Sequence, residues 1–124
     1  MSTTNSSYHI LLQELLPKEL FNYFEIISVK VDEHQILVFL DECNIYPENY
    51  KSNTLQSKGF TPATIVQDFP IRNKAVYLHI RRRKWLVKET SQIISNTWDL
   101  TGKGTKHTKE FADFLKELFG SISN

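Results

Sequence analysis

One segment constrains the fold of this chain more than any other. Over residues 75–83 the sequence alternates so that Val76, Leu78 and Ile80 point to one side of an extended strand. The intervening residues point to the opposite side, because successive side chains of a strand alternate between its faces. This outward set comprises Ala75, Tyr77, His79, Arg81 and Arg83. The sequence therefore predicts a strand with an apolar inward face and an outward face of aromatic and basic side chains.

The first forty residues are expected to form two helices and a hairpin. Apolar residues over 8–16 follow helical spacing. Pro17 either breaks that helix or occupies the first position of a second helix over 18–24. Alternation over 27–31 and again over 36–40 predicts two strands joined by a turn.

The rest of the chain divides by composition and spacing. Residues 41–60 are polar and irregular and predict a loop, and residues 61–100 predict a basic β-ribbon. Over 107–120 a stripe of Phe and Leu at helical spacing predicts an amphipathic helix. That stripe must dock either on the sheet of this domain or on a segment that follows it in a longer chain. Residues 1–7 are expected to be disordered, and residues 121–124 to form a tail.

Together these elements predict one α+β domain over residues 8–120. A small antiparallel sheet of hairpins is flanked by an N-terminal helix pair and a C-terminal amphipathic helix. With 124 residues the chain is long enough to bury one core. Its one cysteine, Cys43, allows neither an internal disulfide nor a thiolate zinc site.

The sequence also indicates where such a domain resides. Its apolar runs are far shorter than the roughly 18 residues of a membrane span. Residues 1–9 carry neither the basic start nor the apolar stretch of a signal peptide. We therefore expect a cytoplasmic, nucleoid-associated protein with no membrane partner.

Charge is strongly segregated along the chain. Residues 1–68 carry a net charge of −5, residues 69–109 of +8 and residues 110–124 of −2. A basic middle block suggests a polyanionic partner, although the same cations are also typical of a solvated face. The candidate DNA-binding residues are Arg72, Lys74, Arg81, Arg82, Arg83, Lys84, Lys103, Lys106 and Lys109.

Four consecutive cations, over 81–84, end the central strand. The planar fork of arginine suits phosphate oxygens and guanine edges. Alternation predicts that Arg82 and Lys84 emerge on the face opposite to the other two arginines. Trp85 either stacks on a base or anchors the core, and the core position is favoured in a small domain. A second basic element, over 103–109, leads into a helix start, where free amides hold phosphate well.

The chain lacks recognised catalytic motifs. It contains no phosphate-binding loop, no GxSxG and no HExxH. Its four histidines are scattered, so we assign no metal ligand, no cofactor and no catalytic residue. Asp41 and Glu42 raise the pKa of the neighbouring Cys43 thiol, which argues against a reactive cysteine. A metal-dependent nuclease built from scattered acids is a distant alternative.

Four motifs in a fixed order resemble a known family. They span Ser57–Pro62, Ile65–Ile71, Lys74–Trp85 and Gly104–Phe111. In order and spacing they closely resemble the N-terminal region of bacterial insertion-sequence transposases of the ISAon type. More broadly, they are similar to the zinc-ribbon heads of a larger transposase family. The resemblance covers about residues 11–120.

The resemblance implies a zinc-ribbon-like fold without zinc, because the cysteine pairs of the zinc-ribbon relatives are missing here. Without zinc, such a ribbon is expected to be stabilised by apolar packing of Phe60, Ile65, Val76, Leu78, Ile80, Trp85, Ile93 and Trp98. The acidic residues of the transposase catalytic domain belong to a region outside this chain. The resemblance thus implies a head that binds insertion-sequence ends and is not itself an enzyme.

Two functions follow as hypotheses. The first is a DNA-binding module whose affinity falls steeply with salt. Under it, alanine at Arg81, Arg82 and Arg83 should weaken binding at least tenfold without unfolding the domain. The second is a protein-interaction module, in which the acidic first half or the Phe-rich last helix docks on a separately encoded catalytic transposase subunit. RNA stays an alternative to DNA, because phosphate contacts carry no sugar preference.

Overall fold

The computed structural model describes residues 10–96 and 109–122 and confirms the α+β class. Within these ranges, seven strands form one sheet of four and one of three. The strands are β1 (Phe24–Val31), β2 (Gln35–Glu42), β3 (Leu55–Phe60), β4 (Thr64–Ile71), β5 (Lys74–Arg81), β6 (Arg83–Val87) and β7 (Gln92–Ile94). The helices are α1 over 10–15, α2 (Lys109–Ile122) and two short 3-10 helices, Lys18–Asn22 and Ser52–Thr54.

The larger sheet is mixed, and not antiparallel as expected. Its order is β1-β2-β5-β4, and β2 and β5 run parallel, while the other neighbours are antiparallel. A parallel pair needs a long crossover connection. Residues 43–73 provide it and contain β3 and β4. The zinc-ribbon likeness is not confirmed.

One face of the larger sheet carries the main core. Val38, Leu78 and Val66 lie side by side on β2, β5 and β4, and all three are buried. The remaining buried members of this cluster are Leu16, Leu20, Phe24, Leu40, Val76, Ile80, Phe111, Phe114, Leu115 and Leu118. The apolar stripe of α2 therefore docks on this domain's own sheet.

The opposite face of the larger sheet, called the open face below, has no comparable cover among the described residues. Its side chains on β5 are Ala75, Tyr77, His79 and Arg81, as alternation predicts. The first three are half-buried and Arg81 is exposed, whereas Val76, Leu78 and Ile80 on the other face of β5 are fully buried. The predicted inward and outward sets of this strand are confirmed up to Arg81.

The smaller sheet has the order β3-β6-β7 and a small core of its own. Trp85 is buried there with Leu55 and Val87, and the ring of Tyr46 lies 4.9 Å from the Trp85 ring. Trp85 is thus a core anchor. The predicted loop over 41–60 is wrong at both ends, because β2 extends to Glu42 and residues 55–60 form β3, which pairs with β6. Leu55 and Phe60 are the only apolar residues of β3, which is too weak a pattern to indicate a strand.

Several expected details change in the structure. The expected packing of Ile65 and Ile93 in the ribbon is wrong, because 54% and 49% of these residues are exposed. The neighbouring residues face the cores instead: Val66 is buried in the main core, and Ile94 packs against the core of the smaller sheet. The second helix is a short 3-10 helix, and residues 121–122 continue α2. The predictions for residues 1–7 and for Trp98 lie outside the described residues.

The β4–β5 hairpin has a tight turn. Arg72 and Asn73 both adopt positive φ, at 52° and 67°. Two consecutive residues of this conformation match the right-handed twist of the flanking strands. Pro70 is tolerated in β4 because that strand is at the edge of the sheet.

We predict that Leu78→Ala lowers the free energy of unfolding by about 2–5 kcal/mol, because it removes a fully buried side chain from the central strand. The matched control is Ile65→Ala, which truncates a 54% exposed residue of β4 and should cost no more than about 0.5 kcal/mol. Urea unfolding followed by circular dichroism measures both. Equal losses would contradict the assignment of the two faces.

Candidate nucleic-acid interface

Arg81 presents a fixed, partly exposed guanidinium at the end of β5. Its Nε and Nη2 donate hydrogen bonds to Asp41 Oδ1 and Oδ2 at 2.7 and 2.6 Å, and 47% of its side chain is exposed. The guanidinium carbon also lies 4.4 Å from the centre of the Phe60 ring. Hydrogen bonding to Asp41 raises the pKa of Arg81. The group is therefore permanently charged and held in one orientation.

Arg82 does not emerge into solvent as predicted, because it is only 7% exposed. Its backbone N–H donates to Thr61 Oγ1 and its carbonyl accepts from the Thr61 N–H, at the point where the chain leaves one sheet for the other. The side chain turns inward, where Nη1 donates to the Asn96 carbonyl at 2.9 Å and the guanidinium lies 5.0 Å from the Phe119 ring. Burial lowers the pKa of Arg82.

Glu42 is the fully buried acid at this junction. Its Oε1 accepts a hydrogen bond from the Arg83 backbone N–H at 2.8 Å. Burial raises the pKa of Glu42, against the opposing effects of that hydrogen bond and of the Arg82 charge. Within the described residues, Glu42 Oε2 and Arg82 Nε have no hydrogen-bond partner. Glu42 and Arg82 are thus both buried and inaccessible to a ligand.

Arg83 completes a small surface cluster with Arg81. Its Nε donates to the Glu42 carbonyl at 3.0 Å, and its guanidinium lies 4.9 Å from the same Phe60 ring. We call Asp41, Phe60, Arg81 and Arg83 the arginine–phenylalanine cluster. Because Asp41 offsets one of the two cations, the formal charge of the cluster is about +1, less than a free run of arginines would give.

The other predicted cations are spread over the fold. Arg72 is exposed in the β4–β5 turn, and Lys74 donates to the carbonyls of Asp32 and Glu33 at 2.5 and 2.9 Å. Both lie at the end of β5 opposite to Arg81, roughly 23 Å away at the rise of an extended strand. Lys84 is half-buried in β6. Lys109 begins α2, and Lys103 and Lys106 lie outside the described residues.

The open face places aromatic side chains next to the arginine–phenylalanine cluster. Phe39 on β2 is the neighbour of His79 on β5, and their ring centres are 4.7 Å apart. Lys30 on β1 lies with its Nζ 5.5 Å from the Phe39 ring centre. The sequence pattern indicated Tyr77 and His79, but not Phe39 or Lys30. Those two residues become relevant only through the parallel β2–β5 pairing, which the sequence did not indicate.

A groove of about 460 Å³ lies on another side of the domain, between α2 and β4. Its apolar lining comprises Pro17, Val66, Phe69 and Phe114, and its polar lining comprises Gln67, Asp68, Glu110, Asp113 and Glu117. Phe69 is 74% exposed. Burial raises the pKa of Asp68. The groove thus combines apolar surface with four carboxyl groups.

The described residues give little support for a metal site or a reactive cysteine. Over 10–96 and 109–122 no three His, Cys, Asp or Glu side chains are grouped so that they could hold a metal ion. Burial, with Glu25 and Glu42 adding to it, raises the pKa of the Cys43 thiol. The direction and the effect of Glu42 are as expected from the sequence, whereas Asp41, also expected to raise this pKa, is not among the causes. Among the described residues, no helix combines the length and apolar character needed to cross a bilayer.

Comparison of the chain with protein-family models, with curated proteins and with solved structures gives no match. The resemblance to insertion-sequence transposases therefore stays a hypothesis.

We predict that Arg82→Ala lowers the free energy of unfolding by about 1–3 kcal/mol, because it removes a buried guanidinium that donates to the Asn96 carbonyl and lies over the Phe119 ring. Lys18→Ala, which removes an exposed cation paired with Glu14, should cost less than about 1 kcal/mol. Urea unfolding measures both. A loss for Arg82→Ala as small as that for Lys18→Ala would contradict the structural role of this buried arginine.

Proposed function

We propose that this chain is a non-catalytic DNA-binding module, as the resemblance to insertion-sequence transposases implies, which holds the ends of such an element while another protein supplies catalysis. The observation that carries the proposal is the arginine–phenylalanine cluster beside the open face. Arg81 and Arg83 both lie over Phe60, and Arg81 is almost half exposed. A guanidinium oriented in this way suits a phosphate group.

The burial of Arg82 changes the expected strength of this binding. A run of four free cations would release several counterions from DNA, whereas this surface offers Arg81 and Arg83 and an opposing Asp41. Each phosphate contact contributes a slope of about −0.9 to the dependence of log affinity on log salt. With two or three contacts the slope should lie near −2 to −3, which is moderate. Replacing Arg81, Arg82 and Arg83 together by alanine is also unsuitable as a test of binding. Arg82 is buried, so this replacement is not expected to leave the fold intact.

We predict that Arg81→Ala weakens binding to a fluorescein-labelled DNA oligonucleotide about tenfold and makes the salt slope shallower by about one. Asp41→Asn should strengthen binding, because it removes the carboxylate that offsets the Arg81 charge. Fluorescence anisotropy at several salt concentrations measures all three proteins.

The matched control for this experiment is Lys116→Ala, which removes an exposed cation from α2 and should leave the affinity unchanged. If the unmodified protein shows no binding at about 50 mM salt, or if Arg81→Ala and Lys116→Ala weaken it equally, the proposed function is wrong.

The groove between α2 and β4 favours a second candidate function. We propose it as a docking site for a basic, partly apolar segment of a catalytic transposase subunit. Four carboxyl groups in its lining complement cationic side chains, and the exposed Phe69 offers apolar contact. The docking element is then the groove and not the Phe stripe of α2, because Phe111 and Phe114 are buried in the core.

If the groove docks such a subunit, Phe69→Ser should abolish co-elution with a catalytic transposase subunit in gel filtration. The fold should be unaffected, because Phe69 is 74% exposed. Ile65→Ser is the matched control, since Ile65 is an exposed apolar residue of the same strand on the open face. Co-elution that survives Phe69→Ser would contradict this candidate.

A further inference from the structure

Two rows of side chains cross the open face of the larger sheet. The strand pairing aligns Ser28, Phe39, His79 and Ile65 in the first row, and Lys30, Leu37, Tyr77 and Gln67 in the second. Residues directly paired across strands point to the same side of a sheet. The two rows therefore form one continuous surface, which contains three rings and runs toward Arg81.

The rings on this surface are held in place while remaining accessible. Phe39 and His79 lie with ring centres 4.7 Å apart at an interplanar angle of 37°, and both side chains are half-buried. Tyr77 is half-buried in the second row, and Ile65 at the end of the first row is 54% exposed. Rings fixed by their neighbours lose little conformational entropy when a ligand binds.

Two cations and two acids border these rows. Among the eight residues of the two rows, Lys30 is the only one with a permanent charge, and none is a carboxylate. The acids of this face, Glu25 and Asp41, are confined to the next row, where Arg81 engages Asp41. Lys30 and Arg81 thus flank the rings on two sides, at positions where they can contact phosphates.

We propose, on the basis of the DNA-binding function proposed above, that the open face binds single-stranded DNA by stacking unpaired bases on Phe39, Tyr77 and His79. Lys30 and Arg81 contact the phosphates of the same strand. Aromatic side chains on a sheet surface accept bases in this way, and each stacked base contributes about 1–3 kcal/mol. The bases of a duplex stack on one another and do not expose their faces to such a surface. The site therefore favours an unpaired strand over a duplex.

The geometry of the rows fits an extended strand of DNA. Same-face residues of a β-strand, such as Tyr77 and His79, are roughly 6.6 Å apart. An unstacked nucleic-acid strand can place successive bases at a comparable spacing. The site thus offers room for two or three nucleotides. Because it contacts the faces of the bases and not their edges, little base specificity is expected.

The proposal is tested by fluorescence anisotropy with four labelled probes of 15 nucleotides: oligo(dT), the same backbone with abasic positions throughout, a duplex of mixed sequence, and the ribo-oligonucleotide oligo(U). We expect the abasic probe to bind at least tenfold more weakly than oligo(dT), although its phosphate charge is the same. The duplex should also bind more weakly than oligo(dT). Phe39→Leu and Tyr77→Leu should each weaken binding of oligo(dT) about fivefold or more and leave binding of the abasic probe unchanged.

Controls separate stacking from folding and from DNA binding in general. Circular dichroism checks that each variant is folded. If Phe39→Leu does not fold, Tyr77→Leu alone tests the stacking. Phe69→Leu removes an exposed ring from the groove and should have no effect on binding. Equal affinities for oligo(dT) and the abasic probe, tighter binding of the duplex, or at least tenfold preference for a ribo-oligonucleotide would each overturn the proposal while DNA or phosphate binding stands. Absence of binding to every probe would instead overturn the proposed function itself.

Discussion

The parallel pairing of β2 with β5 is the constraint on which the rest of the structure depends. On one face it brings Val38 beside Leu78, where both are fully buried in the main core. On the other face the same register brings Phe39 beside His79 and Asp41 beside Arg81. Because side chains alternate, a slip by one residue would exchange the two faces and bury the polar set. Core and candidate interface are thus two results of one register.

The arginine run shows why neighbouring cations in a sequence do not form one surface patch. Arg81 ends β5 and Arg83 begins β6, so both lie near Phe60 at the surface. Arg82 between them is the residue at which the chain passes from one sheet to the other, and its guanidinium is buried. Inside the domain this guanidinium donates to the Asn96 carbonyl and lies over the Phe119 ring. The sequence therefore overstated the number of cations available to a polyanion.

Local patterns in the sequence were sufficient for part of the fold. Alternation correctly indicated the inward and outward sets of β5, and helical spacing indicated α2 and its apolar stripe. The core position favoured for Trp85 was also correct. The pairing partners could not be derived, because β2 and β5 are separated by more than thirty residues and nothing local encodes which strands meet. Phe39 therefore went unnoticed as a site residue, whereas Tyr77, His79 and Arg81 were indicated by their own strand.

The most direct test of the open face as a binding surface is a titration of the isotope-labelled protein with unlabelled oligo(dT), followed by NMR. The ring protons of Phe39, Tyr77 and His79 should shift upfield, because stacked bases shield them. The amides of β2 and β5 should change in the same concentration range, while residues around Phe69 and α2 stay constant. Shifts confined to the groove, or ring protons that do not move while the DNA binds, would contradict the assignment of the open face.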